Sequence, residues 1–519
     1  MFGIKKHAEL ERKKRLPRSF RNVVSNWAGS LISLLIAFFL SPFIVHHLGS
    51  TAYGIWVLIV SLTGYFGLLD LGVRGTVTRY VAEFHTQGKH KEASRLVSSA
   101  LVIFTLLGVV ALAASIVATL IAPRLFHIPQ NHLGVLLIVT GASVATALIG
   151  SVFGAVVVGL QQFEISNAVE ISLAIVKAVA ILLTLGNGRG LLSLAIIQLV
   201  FSGLTLVTYV LTSWRLYPQL SVRYTLSDKA SARVIFSFGS YMFLLNVSAY
   251  LIFYTDSLVV GAFLPLAMVT FFAIAGNLIA SSRSLIDGIS FTITPLASSL
   301  NAGGNRDKIE VIGLVGPRYA TMLVLPIAIT FALRGKTFIG LWMGAAYADA
   351  SSKVLQVLSV VLFFSAANQI TRAITLGMNK HRLVAFVNIA EGILNLALSI
   401  GLVQAIGIVG VAWGTAIPNL ATSLMFWPLY MRQILGIPMS KYVLSTWIRP
   451  AVVAVPFALI SLIIDRMWCA RSLLVFFFQV ALSLPVAALG FWFGCLSRSE
   501  RRSCLRQIFS PAVRVVEPV

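Results

Sequence analysis

The sequence predicts an all-α polytopic membrane protein, with about 14 transmembrane helices forming two pseudo-symmetric six-helix lobes around a central cavity and two further C-terminal helices. Three observations predict it. The 519 residues are 58% hydrophobic and only 11% charged, with mean hydropathy +0.91, far from the composition of a soluble globular chain. The apolar residues gather into runs of roughly the twenty that a helix needs to cross a bilayer, without the alternation of a barrel strand. Two segments of the first half also return in the second at a nearly constant offset.

The runs fall near 20–46, 52–73, 97–121, 133–158, 168–186, 191–213, 235–263, 267–294, 317–334, 352–376, 384–404, 408–430, 447–464 and 470–494. The first, Phe20 to Val45, follows a basic stretch but is too long for a secretory signal and lacks a small-residue cleavage site, so it reads as an uncleaved helix. The second, Tyr53 to Val73, ends in Asp70 and Arg74, four apart and expected on one helix face as a structural pair. The longest loop on the far side, Gly335 to Ser351, is under twenty residues and too short to fold as a domain. The expected organisation is a basic N-terminus over 1–19, a first lobe over 20–234, a second over 235–430, added helices over 431–494 and a basic tail over 495–519.

The charges test this topology. Of the forty lysines and arginines, thirty-one fall on the side of the N-terminus and seven on the other, while Lys177 and Arg283 fall inside spans. By the positive-inside rule both termini are expected in the cytoplasm. The net charge of +23 is thereby divided among membrane loops, which argues against a nucleic-acid partner. Cys469, Cys495 and Cys504 are odd in number and lack paired spacing, which argues against a disulfide framework or a thiolate metal site. The histidines show no ligand spacing, and no nucleotide-binding or hydrolase motif is present, so neither a cofactor nor an enzyme activity is expected.

The repeat places the segment from Gly159 over that from Gly377, an offset of 218, and Asp70 over Asp287, an offset of 217, with the Gly88-Lys89 turn near Gly304-Asn305. Six helices lie between corresponding points. The two halves should therefore share one orientation in the membrane.

Ionisable groups at membrane depth are costly, about 2.5–3.5 kcal/mol each on insertion scales, and usually face a cavity or a partner. Arg283 lies one turn from Asp287 and reads either as half of a helix ion pair or as a cavity cation able to grip a phosphate. Lys177, with Glu170 two turns away, has no carboxylate within one turn and reads as a cavity cation. Asp256, between Thr255 and Ser257, is a candidate proton or cation site, as is Asp287. Asn388, Glu391, Asn395 and Ser399 recur at helical spacing as one polar stripe, and Asn22, Asn26, Ser30 and Ser33 as a weaker one; both suit sugar hydroxyls, and both suit contacts between helices.

The stretch from Leu48 to Lys89, with YGIW, GYFGLLDLG, RYVAE and a Gly-Lys turn, resembles the polysaccharide-biosynthesis transporters, flippases of the multidrug/oligosaccharidyl-lipid/polysaccharide superfamily. Thr255-Asp256, LVVGAFLP and FFAIA are similar to the seventh helix of that family and its turn into the eighth. The resemblance covers the first twelve spans, and departs at Pro265 and Thr270, where a small residue and a glycine are commoner. It implies alternating access and a polyprenyl-diphosphate-linked oligosaccharide as substrate, carried from the inner to the outer leaflet of a bacterial cytoplasmic membrane for O-antigen, capsule or exopolysaccharide synthesis. The implied partners are membrane lipid and the polysaccharide polymerase or export machinery. Arg283, Lys177, Asn388, Glu391, Asn395, Asn22 and Asn26 would line the substrate cavity. The alternative is a cation-coupled multidrug exporter of the same superfamily.

Overall fold

The computed structural model describes residues 18–128 and 130–509, with the backbone alone for 18–28, 30, 130–132, 238–246, 248–249, 252–253 and 504–509. The helices run in the order α1 (Arg18–Gly64), α2 (Val73–Thr86), α3 (His90–Phe126), α4 (Gln130–Gly159), α5 (Phe163–Gly186), α6 (Leu191–Leu216), α7 (Lys229–Phe263) and α8 (Leu266–Ala302). There follow α9 (Arg306–Trp342), α10 (Ala345–Gly377), α11 (Arg382–Ile406), α12 (Ile408–Leu435), α13 (Met439–Met467), α14 (Leu473–Cys495) and α15 (Arg498–Phe509). Among the described residues 12 helices are long and apolar enough to cross a membrane, and no strand is present. Helices are the form in which a chain in lipid can satisfy every backbone group within one segment.

The opening differs from the sequence expectation. The first two expected spans lie in one helical run, α1, interrupted at Gly49, whose φ of 77 and ψ of 165 no side-chain-bearing residue adopts cheaply. The second span is not helical to Val73: a 3-10 turn occupies Tyr65–Asp70, and Leu71 and Gly72 take positive φ before α2 begins. Asp70 and Arg74 are therefore not on one α-helical face. The Asp70 carboxylate instead accepts the Arg74 backbone N–H at 3.2 Å, at the start of α2. The expected far-side loop at 335–351 is also mostly helix, since α9 continues to Trp342 and α10 starts at Ala345. Apolar runs under-measure helices whose ends rise out of the hydrocarbon.

Turns that the repeat pairs take similar backbone. Gly88 and Gly304 both take positive φ, 69 and 67, and Gln161 and Asn379 take 58 and 57. Lys89 N–H donates to the Phe84 carbonyl as Asn305 N–H does to that of Leu300. Gly159 lies against the Thr78 carbonyl and Val81, and Gly377 lies against the Thr294 carbonyl and Ala297. Such glycines let helices approach closely where lipid supplies little hydrophobic drive.

The chain divides into two compact units. Unit 1 runs through Ala273 and takes in Ala385–Gly414; unit 2 comprises Ile274–Val384 and the chain from Thr415 on. In unit 1, Val77, Val97, Phe104, Val152 and Tyr217 pack α2, α3, α4 and the end of α6 into one core. In unit 2, Leu325 of α9 packs with Phe457 of α13 and Phe491 of α14, so the two added helices belong to this unit's core. Large apolar side chains such as Phe39, Leu106 and Leu474 remain exposed, as a lipid-facing surface requires.

Candidate functional site

Unit 1 holds a cavity of about 350 Å³ whose wall is contributed by α4, α5, α6 and Arg74 of α2. Helix α4 gives it room: Ala147, Gly150, Ser151 and Gly154 recur on one face, and none projects beyond a hydroxymethyl group. Helix α5 presents Ser166, Glu170 and Lys177, at i, i+4 and i+11, and α6 presents Gln198, Ser202, Thr205 and Tyr209, at i, i+4, i+7 and i+11. These spacings align each set along one side of its helix.

The polar groups are linked. The Tyr209 hydroxyl donates to Glu170 Oε1 at 3.1 Å; it thereby leaves its own oxygen to accept the Ser166 hydroxyl at 3.0 Å. Lys177 Nζ donates to the side-chain oxygen of Gln198. Lys177 is thus half-buried and meets a neutral amide, and it pairs with no carboxylate among the described residues. Arg74, whose guanidinium acts electrostatically on both Asp70 and Tyr209, brings a second cation to the cavity. Two cations against the one carboxylate of Glu170 leave the wall positive, and its remaining polar side chains are hydroxyls and the Gln198 amide beside apolar Leu173 and Phe201.

Unit 2 carries a second charged cluster. Gln369 of α10 donates its amide to Asp287 of α8, and Arg283 and Arg372 both act electrostatically on that carboxylate. Arg283 and Asp287 therefore interact, as their spacing predicts, and α10 adds a further arginine that the sequence reading had counted only toward the charge bias. Asp256 is buried on α7, beside Thr255, whose hydroxyl is bonded to that of Tyr65. The stripe on α11 is mostly buried, with Asn388 5%, Asn395 1% and Ser399 0% exposed and Glu391 half-buried. Its far end touches α12, where Ser399 donates to the Val411 carbonyl at 3.4 Å and Gly414 lies against Ser399. The side chains of Asn22 and Asn26 lie outside the described residues. At the 218-residue offset, Glu170 and Lys177 correspond to Asn388 and Asn395, so the charged face of α5 returns on α11 as amides.

Sequence reasoning did not single out Arg74 as a cavity cation, nor Gln198, Tyr209, Gln369 or Arg372. The α6 residues carried a signal: their stripe has the same helical spacing as the one recognised on α11. Arg334, placed at the outer end of the ninth run, is 1% exposed within α9, where it donates to Asp465 at 2.9 Å and to Gln479.

A family model described as "Polysaccharide biosynthesis protein" matches residues 19–301. The "Putative O-antigen transporter" of Shigella flexneri is 22% identical over 419 residues, covering 80% of this chain and 98% of that protein. Among solved structures, a lipid II flippase, MurJ, in an inward closed conformation aligns with TM-score 0.70 at 14% identity, covering 91% of this chain and 98% of the other. An inward-facing multidrug resistance transporter of the MATE family aligns with TM-score 0.62 at 16% identity, over 78% of this chain and 98% of the other.

Proposed function

We propose, from the premise that the chain belongs to the polysaccharide biosynthesis protein family, that it is a flippase for a polyprenyl-diphosphate-linked oligosaccharide. Lys177 is the observation that carries this reading. An ammonium held at membrane depth against a neutral glutamine is poised for an anion that the protein itself does not supply. Arg74 strengthens it, since a guanidinium can meet a phosphate through two parallel N–H bonds. The hydroxyls of Ser202 and Thr205 and the Glu170–Tyr209 pair suit sugar hydroxyls, which both donate and accept.

In this reading the cavity opens alternately to either side of a bacterial cytoplasmic membrane, with both chain termini cytoplasmic. The prenyl tail stays in lipid, and no bond of the substrate is made or broken. Within unit 2, Arg283 and Arg372 around Asp287 form a candidate anion contact of their own, and Asp256 of unit 1 is a candidate coupling site. A positive wall favours an anionic lipid over the cationic drugs expected of the alternative exporter.

The test places a cysteine at Ala174, which lines the same cavity, in a background lacking Cys469, Cys495 and Cys504. A membrane-impermeant thiol reagent should label position 174, and added polyprenyl-diphosphate oligosaccharide should slow that labelling several-fold. Labelling at an unchanged rate contradicts the reading.

A further inference from the structure

Unit 1 has a second cavity, of about 620 Å³, which shares no residue with the first. It lies where the charge bias puts the outer ends of the helices. Its wall includes His47, Ala52 and Ile55 around the break in α1, Leu136 of α4, and Arg189 and Leu192 at the α5–α6 turn. The proposed function makes no use of it.

Three features of this pocket point to one kind of occupant. Its charge is of one sign: Arg189 is exposed, and among the described residues no acidic side chain lines the wall. His47 adds a hydrogen-bond acceptor, because its Nδ1–H donates to the Phe43 carbonyl at 2.9 Å and leaves a lone pair on Nε2. The floor is apolar, with Leu136 and Leu185 buried in it. The turn that carries Arg189 also has bare backbone on both sides. Gly186 and Gly190 have nothing within 4 Å of where a Cβ would sit, so the backbone of this turn is open to a headgroup.

We propose that this pocket is an exit site that holds the phosphate head and first isoprenoid units of a single-chain lipid phosphate after it reaches the outer leaflet. Arg189 contacts the phosphate, His47 Nε2 accepts from a protonated phosphate oxygen, and the leucine and isoleucine wall takes the start of the chain. An apolar wall beside a single cation fits one chain with a compact anionic head better than a two-chain phospholipid whose amine would meet Arg189. The inference rests on the flippase reading for its ligand, but not on the α5 cavity.

The experiment uses the full chain in phosphatidylcholine nanodiscs, with undecaprenyl diphosphate as probe and native mass spectrometry to count bound copies. The wild type should bind two. Arg189→Glu should weaken one of them at least tenfold, Arg189→Lys should restore it, and Lys177→Glu should weaken the other. Unchanged binding in Arg189→Glu, or equal displacement by phosphatidylglycerol, overturns the exit site. Loss in Arg189→Glu with no effect of Lys177→Glu upholds the exit site while removing the α5 cavity as the carrier site.

Discussion

A lysine at membrane depth that meets only a glutamine amide costs the fold about 2.5–3.5 kcal/mol on insertion scales. Lys177→Met removes that charge at similar length, so its thermal midpoint in detergent should rise; a fall would show that the ammonium is a structural contact. Asp228 is a residue of the opposite kind. It caps α7 by accepting the Ser231 N–H at 2.6 Å, and that bond holds its carboxyl below the usual carboxylate range. A depressed carboxyl stabilises the fold above its unfolded pKa, near 3.9, and the gain is lost as pH falls through the lower folded value. Asp228→Asn keeps a good cap without a titrating group, so its stability at neutral pH should match the wild type while its loss below pH 4 should be shallower. Asp228→Ala should cost about 1 kcal/mol at neutral pH. Thermal melts across the acid range check both. Lys177 was legible in the sequence because a charge within an apolar run stands out, while Arg74 was hidden by its neighbour Asp70. Four-residue spacing implies a shared face only on a continuous helix, and the left-handed turn at Leu71 and Gly72 breaks that helix.

At the scale of elements, the apolar runs revealed which segments are helices but not where they end. The lapse at Arg334 shows why: a hydropathy window closes at an arginine, whereas the helix continues because that arginine has buried partners. Arg334 of α9 meets Asp465 of α13 and Gln479 of α14, and its guanidinium stacks over Phe476 at 4.6 Å. Sixteen residues earlier on α9, Arg318 pairs with Glu500 of α15, whose carboxyl, raised by burial, is brought below its usual range by Ser497 and Arg318. One helix thus ties down the whole C-terminal segment at two levels. Removing one partner of a buried pair leaves the other uncompensated. Arg334→Ala should therefore destabilise the protein by on the order of 3 kcal/mol and expose α13–α14 first, read as faster amide exchange in those helices than in α3–α6. Uniform exchange across the chain would show that α13 and α14 do not depend on this cluster.

For the whole molecule, membrane class and helical architecture were legible because composition and run length report directly on the solvent. The turns that the repeat pairs, at Gly88 and Gly304 and at Gln161 and Asn379, take the same left-handed backbone. The cavity was less legible: α4 shapes it with small residues, and small residues in an apolar run look like any other part of a membrane helix. The role proposed for the positive cavity on α5 is to carry a lipid-linked oligosaccharide across the bilayer. Its most direct test is translocation of a polyprenyl-diphosphate oligosaccharide between leaflets of proteoliposomes containing the full chain. The wild type should move it, Lys177→Met should slow it at least tenfold, and Lys177→Arg should retain most of the rate. Equal rates for wild type and Lys177→Met, with both proteins folded, would contradict the claim.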